Sequence, residues 1–375
     1  MVYLDYAATT PIRQEVLDAY QKAAKRFYGN PSSLHDIGTK ANDLLNACRI
    51  QLSKIINGNP DGIYFTSGGT ESNILAIKSL IDGNKEKGNH LITTEVEHSS
   101  LYNLFKQLEQ EGFDVTYLPV DVSGELHVDQ IKNAVRDNTI LASIHHGNAE
   151  IGVVQNIAEI GKLLHERDVI FHTDCVQTFG NIPIDVQTSY IDSLSVSSHK
   201  IYGPKGTGMC YMNPNANWKE QIAGTVHEKG FRPGTVDVPS IAAFATAAEL
   251  MIAEMEAQQS KYRSLRNYLN AKLSELGGMI KIEGSVNEQL PHIVGLTSAH
   301  LQGQYIMLEC NRYGIAISTG SACQVGNQAP SRTMKSMGKS EEEAQQFIRL
   351  SFGKETEETD IDQFVKAMYE LFDLT

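Results

Sequence analysis

The chain lacks the features that mark several protein classes. No stretch approaches the ~18 consecutive apolar residues of a membrane span. The opening residues, Met1-Val2-Tyr3-Leu4-Asp5-Tyr6, carry neither a basic nor an apolar leader. A cytoplasmic protein with no membrane association is the expectation. The five cysteines, Cys48, Cys175, Cys210, Cys310 and Cys323, contain no CxxC pair. That argues against a disulfide framework and against a structural zinc site, and leaves only single-thiol chemistry. Positive charge is in deficit: 32 Lys and Arg stand against 45 Asp and Glu, a net of -13. An acidic surface does not coat itself with phosphate backbone, so direct nucleic-acid binding is not expected. No repeat and no low-complexity tract occurs, which removes solenoid and linker architectures. What is present is ordinary globular composition, 41% apolar and 21% charged over 375 residues. That length corresponds to roughly two or three domain-sized units.

Short apolar runs alternate with helical patterns through the first two thirds of the chain. The runs lie at 63–66, 90–94, 114–120, 139–145, 169–172, 191–196 and 208–212; helical periodicity occupies 71–80, 99–111, 130–136 and 157–167. Such alternation predicts a parallel-dominated α/β sheet with helices on both faces. After about residue 235 the texture changes. A long Ala- and Glu-rich helix is expected over 241–276, ending at Gly277-Gly278. Shorter strands follow at 293–297, 314–318 and 348–351, with helices at 303–313, 341–347 and 360–374. This pattern predicts a smaller α+β unit.

The chemistry concentrates at the ends of the apolar runs. In Ser197-Ser198-His199-Lys200-Ile201-Tyr202-Gly203-Pro204, a lysine directly follows a strand and precedes a Gly-Pro turn. Alone, Lys200 reads as a surface residue; in a cleft its ammonium loses hydration and becomes a candidate Schiff-base amine. The segment lacks the GxxxxGK[ST] order of a P-loop. Asp174 closes another strand, and beside such a lysine it is the anion that a pyridinium nitrogen requires. Thr66-Ser67-Gly68-Gly69-Thr70-Glu71-Ser72 closes a strand and opens a helix, whose unpaired N–H groups suit a phosphate. Each signal is weak singly; together they imply pyridoxal phosphate. His98 follows a further strand and reads either as a structural histidine or as a ring-stacking, proton-shuttling one. Cys323 lies in the small, polar stretch Gly320-Ser321-Ala322-Cys323-Gln324-Val325-Gly326, without core periodicity, whereas Cys210 sits among Met209, Tyr211 and Met212 and reads as core. A thiol in such a loop is only a few per cent ionised at pH 7, yet strongly nucleophilic.

These segments, with Tyr3-Leu4-Asp5-Tyr6-Ala7-Ala8-Thr9-Thr10-Pro11, Glu150-Ile151-Gly152 and Arg232-Pro233-Gly234-Thr235, occur in order from Tyr3 to about Gly353. The set resembles the cysteine desulfurases of the NifS/IscS type, within the class V aminotransferases. The resemblance implies the PLP-dependent transferase fold (fold type I). It would comprise a large domain with a mostly parallel seven-stranded sheet over residues 15–257, and a small α+β domain from 1–14 and 258–375. The small domain would carry a cysteine loop at about 318–332. It implies conversion of L-cysteine to L-alanine by way of a pyridoxal phosphate aldimine on Lys200 and a persulfide on Cys323. The sulfur would pass to acceptor proteins for iron–sulfur assembly, tRNA thiolation or a thiamine-type pathway.

The implied roles follow residue by residue. Asp174 pairs with the ring nitrogen and Gln177 with the ring hydroxyl. Gly69, Thr70, Ser197 and His199 hold the phosphate, and Thr235 reaches it from the partner of a homodimer. His98 stacks on the ring and assists proton transfer. Asn30 and Arg349 clamp the substrate carboxylate, a task suited to a bidentate guanidinium. No resident metal is implied beyond transient iron–sulfur ligation at Cys323. Two departures stand out. The family's second asparagine before Glu-Ile-Gly bonds the ring hydroxyl, and this chain has Ala149 there, leaving Asn148 or Gln177 to compensate. The Gly-rich run before His-Glu is altered to Ala223-Gly224-Thr225-Val226-His227-Glu228. Two alternatives have other consequences: an aminotransferase or lyase with an idle Cys323, and a non-catalytic scaffold that docks sulfur-transfer partners.

Overall fold

The computed structural model describes residues 1–285, 289–320 and 330–373. The chain begins with a two-residue strand, β1 (Val2–Tyr3), then two helices, α1 (Gln14–Arg26) and α2 (Asp36–Ile55). Sequence patterning passed over both helices. Only Val16 and Ala23 of α1 are buried, so its apolar stripe is thin. The start of α2 is capped by His35, whose Nδ1 accepts from the Gly38 amide at 3.2 Å, rather than by the usual Ser, Thr, Asp or Asn.

From residue 63 the expected alternation unfolds. Strand β2 (Ile63–Thr66) leads to α3 (Gly69–Asn84), β3 (His90–Thr94) to α4 (Ser99–Gln110), β4 (Asp114–Leu118) to α5 (Val128–Ala134), and β5 (Thr139–Ser143) to α6 (Ile157–His165). Three more strands follow, β6 (Ile170–Asp174), β7 (Ser193–Ser197) and β8 (Gly208–Met212). They form one seven-stranded sheet in the order β2-β8-β7-β6-β5-β3-β4. Only β8 opposes its neighbours; it pairs antiparallel with both β2 and β7, and the other pairs are parallel. Strands covered on both faces read as continuous apolar runs, and β3, β5, β7 and β8 are buried throughout. Some polar side chains inside the sheet pair across strands. The two ring nitrogens of His90 meet Thr139 Oγ1 and Thr116 Oγ1 at 2.7 and 2.9 Å.

Helix α7 (Val238–Ser274) then spans two hydrophobic cores. Its first half, including Ile241, Phe244, Ala248 and Met251, packs into the core of the large sheet. Its second half gives Tyr262, Leu265, Leu269 and Leu273 to another core. Over part of its length α7 is apolar enough to cross a membrane, but more than half of that window is buried inside the protein. The second core is built on β9 (Ile280–Glu283), β10 (Ile293–Ser298), α8 (Gly303–Arg312), β11 (Ile315–Ala316), β12 (Phe347–Ser351) and α11 (Glu358–Leu371), while α9 (Arg332–Ser336) and α10 (Glu341–Gln345) put Met334 and Ala344 into a smaller cluster with Val96, Val120, Ile151 and Val153. Its antiparallel sheet runs β12-β10-β9. The N-terminal strand β1 joins this lobe by parallel pairing of Val2 with Ile315 and Tyr3 with Ala316.

Two expectations for this lobe are corrected, and two short elements are added. The strand expected at 314–318 shrinks to Ile315–Ala316, because the chain turns at Ser318 to bridge Arg349. The helix expected to 347 stops at Gln345, and Phe347 opens β12 instead. Strand β9 and helix α9, four and five residues long, were too short to show a period.

The altered run at 223–228 has a structural job. Glu228 sits at φ 45° and is buried, and its carboxylate pairs with Arg49 of α2 at 2.9 Å while accepting the Phe65 amide at 2.7 Å. Removing one partner leaves a buried guanidinium uncompensated. Glu228→Ala is therefore expected to destabilise the fold by about 3–5 kcal/mol in urea denaturation.

Candidate active site

Three parallel strands, β5, β6 and β7, deliver the site at their C-terminal ends, where ligands of open α/β sheets bind. A cavity of about 200 Å³ opens there. Of the residues singled out from sequence, Gly69, Thr70, His98, Asn148, Asp174, Gln177, Ser197, His199, Lys200 and Arg349 all line it.

Lys200 ends the single turn Ser198–Lys200 that follows β7. Its ammonium donates to the carbonyls of Ala7 and Ala8, at 2.5 and 2.9 Å, and thus draws the N-terminal segment over the site. The next residues of that segment are tied to His199: Thr10 Oγ1 donates to its carbonyl at 2.9 Å, and Thr9 Oγ1 lies 3.1 Å from its Nδ1. Burial, with the charges of Lys200 and Lys205, pushes the His199 imidazole down to about 4.

Asp174 is buried, and both its oxygens are engaged. Oδ1 accepts the Val176 amide at 2.9 Å, and Oδ2 accepts from Asn73 Nδ2 at 2.8 Å. Asn73 Oδ1 in turn meets His172 Nε2 at 3.1 Å, and His172 Nδ1 meets Ser193 Oγ at 3.0 Å. Burial pushes His172 down to about 4, so its neutral ring donates to Asn73 and accepts from the serine.

The turn into α3 needs its glycines. Gly68 sits at φ 147°, and a Cβ on Gly69 would come within 2.6 Å of Val176 Cγ2. This helix start lies beside Ser197: a Cβ on Gly68 would come within 3.4 Å of its Oγ. A second, open cavity of about 430 Å³, sharing Ala8, Gly69, Thr70, Ser197 and His199 with the first, adjoins this helix start.

Arg349, on β12, brings the second lobe into the site. Its Nη2 donates to Asp5 Oδ1 at 2.7 Å and its Nη1 to the Ala149 carbonyl at 2.9 Å. Asn148 staples the neighbouring turn: its Oδ1 accepts the amides of Glu150 and Ile151 at 2.8 and 3.0 Å. Gln177 Nε2 donates to the Ala7 carbonyl at 3.2 Å, and His98 caps α4, its Nδ1 lying 2.8 Å from Ser100 Oγ.

Two expected residues stand elsewhere. Asn30 is exposed and binds the Ser32 amide through its own Oδ1 at 2.9 Å. Thr235 is exposed and outside the cavity lining. Cys323 lies outside the described residues. The residues flanking that stretch are held in the site: Ser331 Oγ donates to the Glu150 carboxylate, and a Cβ on Gly320 would lie 3.7 Å from the same carboxylate.

Sequence reasoning missed Asn73, Glu97, His145 and Arg332, which share the cavity wall. Asn73 lies one helical turn beyond Gly69 and Thr70 on α3, a spacing that could have flagged it. The others are joined by contacts distant in sequence. Arg332 Nη2 donates to the Glu97 carbonyl at 3.0 Å, and its guanidinium carbon lies 3.8 Å from the Tyr102 ring centroid.

Comparison with known proteins follows the same lines. The class-V aminotransferase family model matches residues 2–364. The chain belongs to this family, in its NifS/IscS cysteine desulfurase branch. It is 48% identical over 375 residues to a NifS protein of Bacillus subtilis (strain 168), covering all of this chain and 95% of that one. It is 39% identical over 361 residues to cysteine desulfurase IscS of Dictyoglomus turgidum, covering 96% and 92% of the two. A solved structure of SspA in complex with cysteine superposes at a TM-score of 0.83 with 35% identity, covering 94% of this chain and 99% of that one. The family carries the fold type expected from the sequence, and the mostly parallel seven-stranded sheet agrees with it.

The buried histidines fix a pH response. His146 is pushed down to about 3 by burial and the neighbouring His145, and His172 and His199 to about 4. An unfolded histidine titrates near ~6.5, so the unfolded chain binds more protons below that value. Stability is thus full above about pH 6.5 and falls as pH drops toward 4. Urea midpoints measured from pH 7.5 to 4.5 should decline through this window, and NMR should find the His199 ring still neutral at pH 5.5.

Proposed function

We propose that this protein is a pyridoxal phosphate-dependent cysteine desulfurase that takes sulfur from L-cysteine, releases L-alanine and passes the sulfur on from Cys323. The observation that carries the reading is the meeting of Lys200, the engaged Asp174 carboxylate and the Gly69 helix start in one cavity.

The residues fit the cofactor. Gly69 is required at this helix start, since a Cβ there would collide with Val176, and the amides and dipole of α3 favour a dianion beside it. Ser197 and His199 flank that end, and Thr235 of a second copy would reach it in a homodimer. Asp174 would face the ring nitrogen, held in place by Asn73 and the Val176 amide. Lys200 would hold the aldehyde carbon, giving up its contacts to Ala7 and Ala8. His98 would cover the ring face and move protons, and Gln177 and Asn148 would edge it. When bound, pyridoxal phosphate supplies an electron sink for the bonds broken at the substrate's α-carbon and sulfur.

The rest belongs to the side chains. Arg349 would orient the substrate carboxylate, its guanidinium pre-set by Asp5 and the Ala149 carbonyl, without Asn30, which stands exposed outside the cavity. Cys323 as thiolate would take the substrate sulfur and hold it as a persulfide, to be handed to an acceptor protein for iron–sulfur assembly or tRNA thiolation. We place the large unit at residues 15–257 and the small one at 1–14 and 258–375, which puts the boundary inside α7, between its two cores. The setting is cytoplasmic in this reading.

The purified protein should be yellow, with a band near ~420 nm from the Lys200-bound cofactor. It should release alanine and, with a thiol reductant, sulfide from L-cysteine. Cys323→Ser should keep the colour and lose sulfide release; full turnover by that variant would refute the persulfide role. Lys200→Ala should lose the band.

A further inference from the structure

One wall of the cavity carries a buried carboxylate–imidazole pair to which the proposed roles give no task. Glu97 and His145 both line the cavity; the Glu97 carboxylate is fully buried and the His145 side chain nearly so. Glu97 Oε1 gathers three contacts: Thr94 Oγ1 at 2.9 Å, the His145 amide at 2.9 Å and His145 Nδ1 at 3.2 Å. That arrangement fixes the imidazole's orientation and puts its proton on Nδ1, as a carboxylate beside a histidine does elsewhere. The far nitrogen, Nε2, is buried and has no hydrogen-bond partner among the described residues, and the same holds for Glu97 Oε2. Native proteins rarely leave such atoms unsatisfied, and one on a residue that lines a ligand cavity is most simply satisfied by the ligand.

The polar atoms of pyridoxal phosphate are the phosphate, the pyridine nitrogen, the aldehyde and the ring hydroxyl. The first three have partners in the α3 start, Asp174 and Lys200. For the hydroxyl, the same wall offers little else. Ala149 presents a methyl group, and its carbonyl is taken by Arg349. Asn148 spends its oxygen on two amides, and Gln177 directs an amide N–H to the Ala7 carbonyl.

We propose that His145, oriented by Glu97, is a cofactor-binding residue whose Nε2 edge hydrogen-bonds the ring oxygen of pyridoxal phosphate, in the place that Ala149 leaves without a polar group. The imidazole fills this role in either protonation state. Neutral, Nε2 accepts from the ring hydroxyl; protonated, it donates to the ring phenolate. This rests on the pyridoxal phosphate reading above.

The test uses the full chain, stripped of cofactor and titrated with pyridoxal phosphate. The affinity is followed by the growth of the visible band. Circular dichroism melting reports folding of each variant. His145→Leu should raise the cofactor dissociation constant about tenfold, the effect of losing one good hydrogen bond to a charged or polarised oxygen, and displace the band maximum. Adding Ala149→Asn to that variant should restore most of the affinity by returning an amide to the same wall. If His145→Leu does not fold, His145→Asn, which keeps a polar group for Glu97 but is shorter, carries the same expectations. Cofactor affinity and band unchanged in the His145 variant, with the wild type loading normally, would overturn the inference alone. So would a loss of affinity that Ala149→Asn fails to recover, since that marks a merely structural role. A wild-type protein that takes up no pyridoxal phosphate would overturn the cofactor reading and this inference with it.

Discussion

The guanidinium of Arg349 is the point on which the site depends. It belongs to β12 of the second lobe, yet its two terminal nitrogens bind Asp5, near the N-terminus, and the carbonyl of Ala149, beyond β5 of the large sheet. Three segments far apart in the chain are thus fixed to one planar group, itself almost entirely buried. A bidentate fork holds such a geometry better than a flexible ammonium could. The charge of Asp5 offsets its burial, and the carboxylate that Asp5 supplies marks where an incoming carboxylate would be read. The Ala7 and Ala8 carbonyls that follow meet Lys200, so one N-terminal strip relates the guanidinium to the amine.

Much of the fold was legible because strand and helix periods are local properties. All seven apolar runs became strands of the large sheet, and Lys200, Asp174 and Gly69 were readable because each closes or follows such a run. The helices α1 and α2 were not, since one buries only two residues and the other starts on a histidine cap. Segments of four or five residues, such as β9 and α9, are shorter than the repeat that would reveal them.

The site's supporting cast was illegible for a different reason. Asn73 beneath Asp174, Asp5 beside Arg349 and Glu97 against His145 are pairings between residues 48 to 344 positions apart. No window of sequence contains both members. Individually, each is an unremarked polar residue; only the closing of the sheet makes each one a partner. The sequence could show which candidate residues stand at strand ends around the cavity, but not which neighbours hold them still.

The reversed strand β8 has a mechanical outcome. Parallel neighbours demand a long crossover, whereas antiparallel ones can be joined by a short link. Because β8 runs against β7, the connection over 198–207 is short, and it is pinned by sheet hydrogen bonds at both ends. The Lys200 amine therefore stands on a braced corner rather than a swinging arm. Adjustments during turnover must come from whatever approaches that post, not from the post itself.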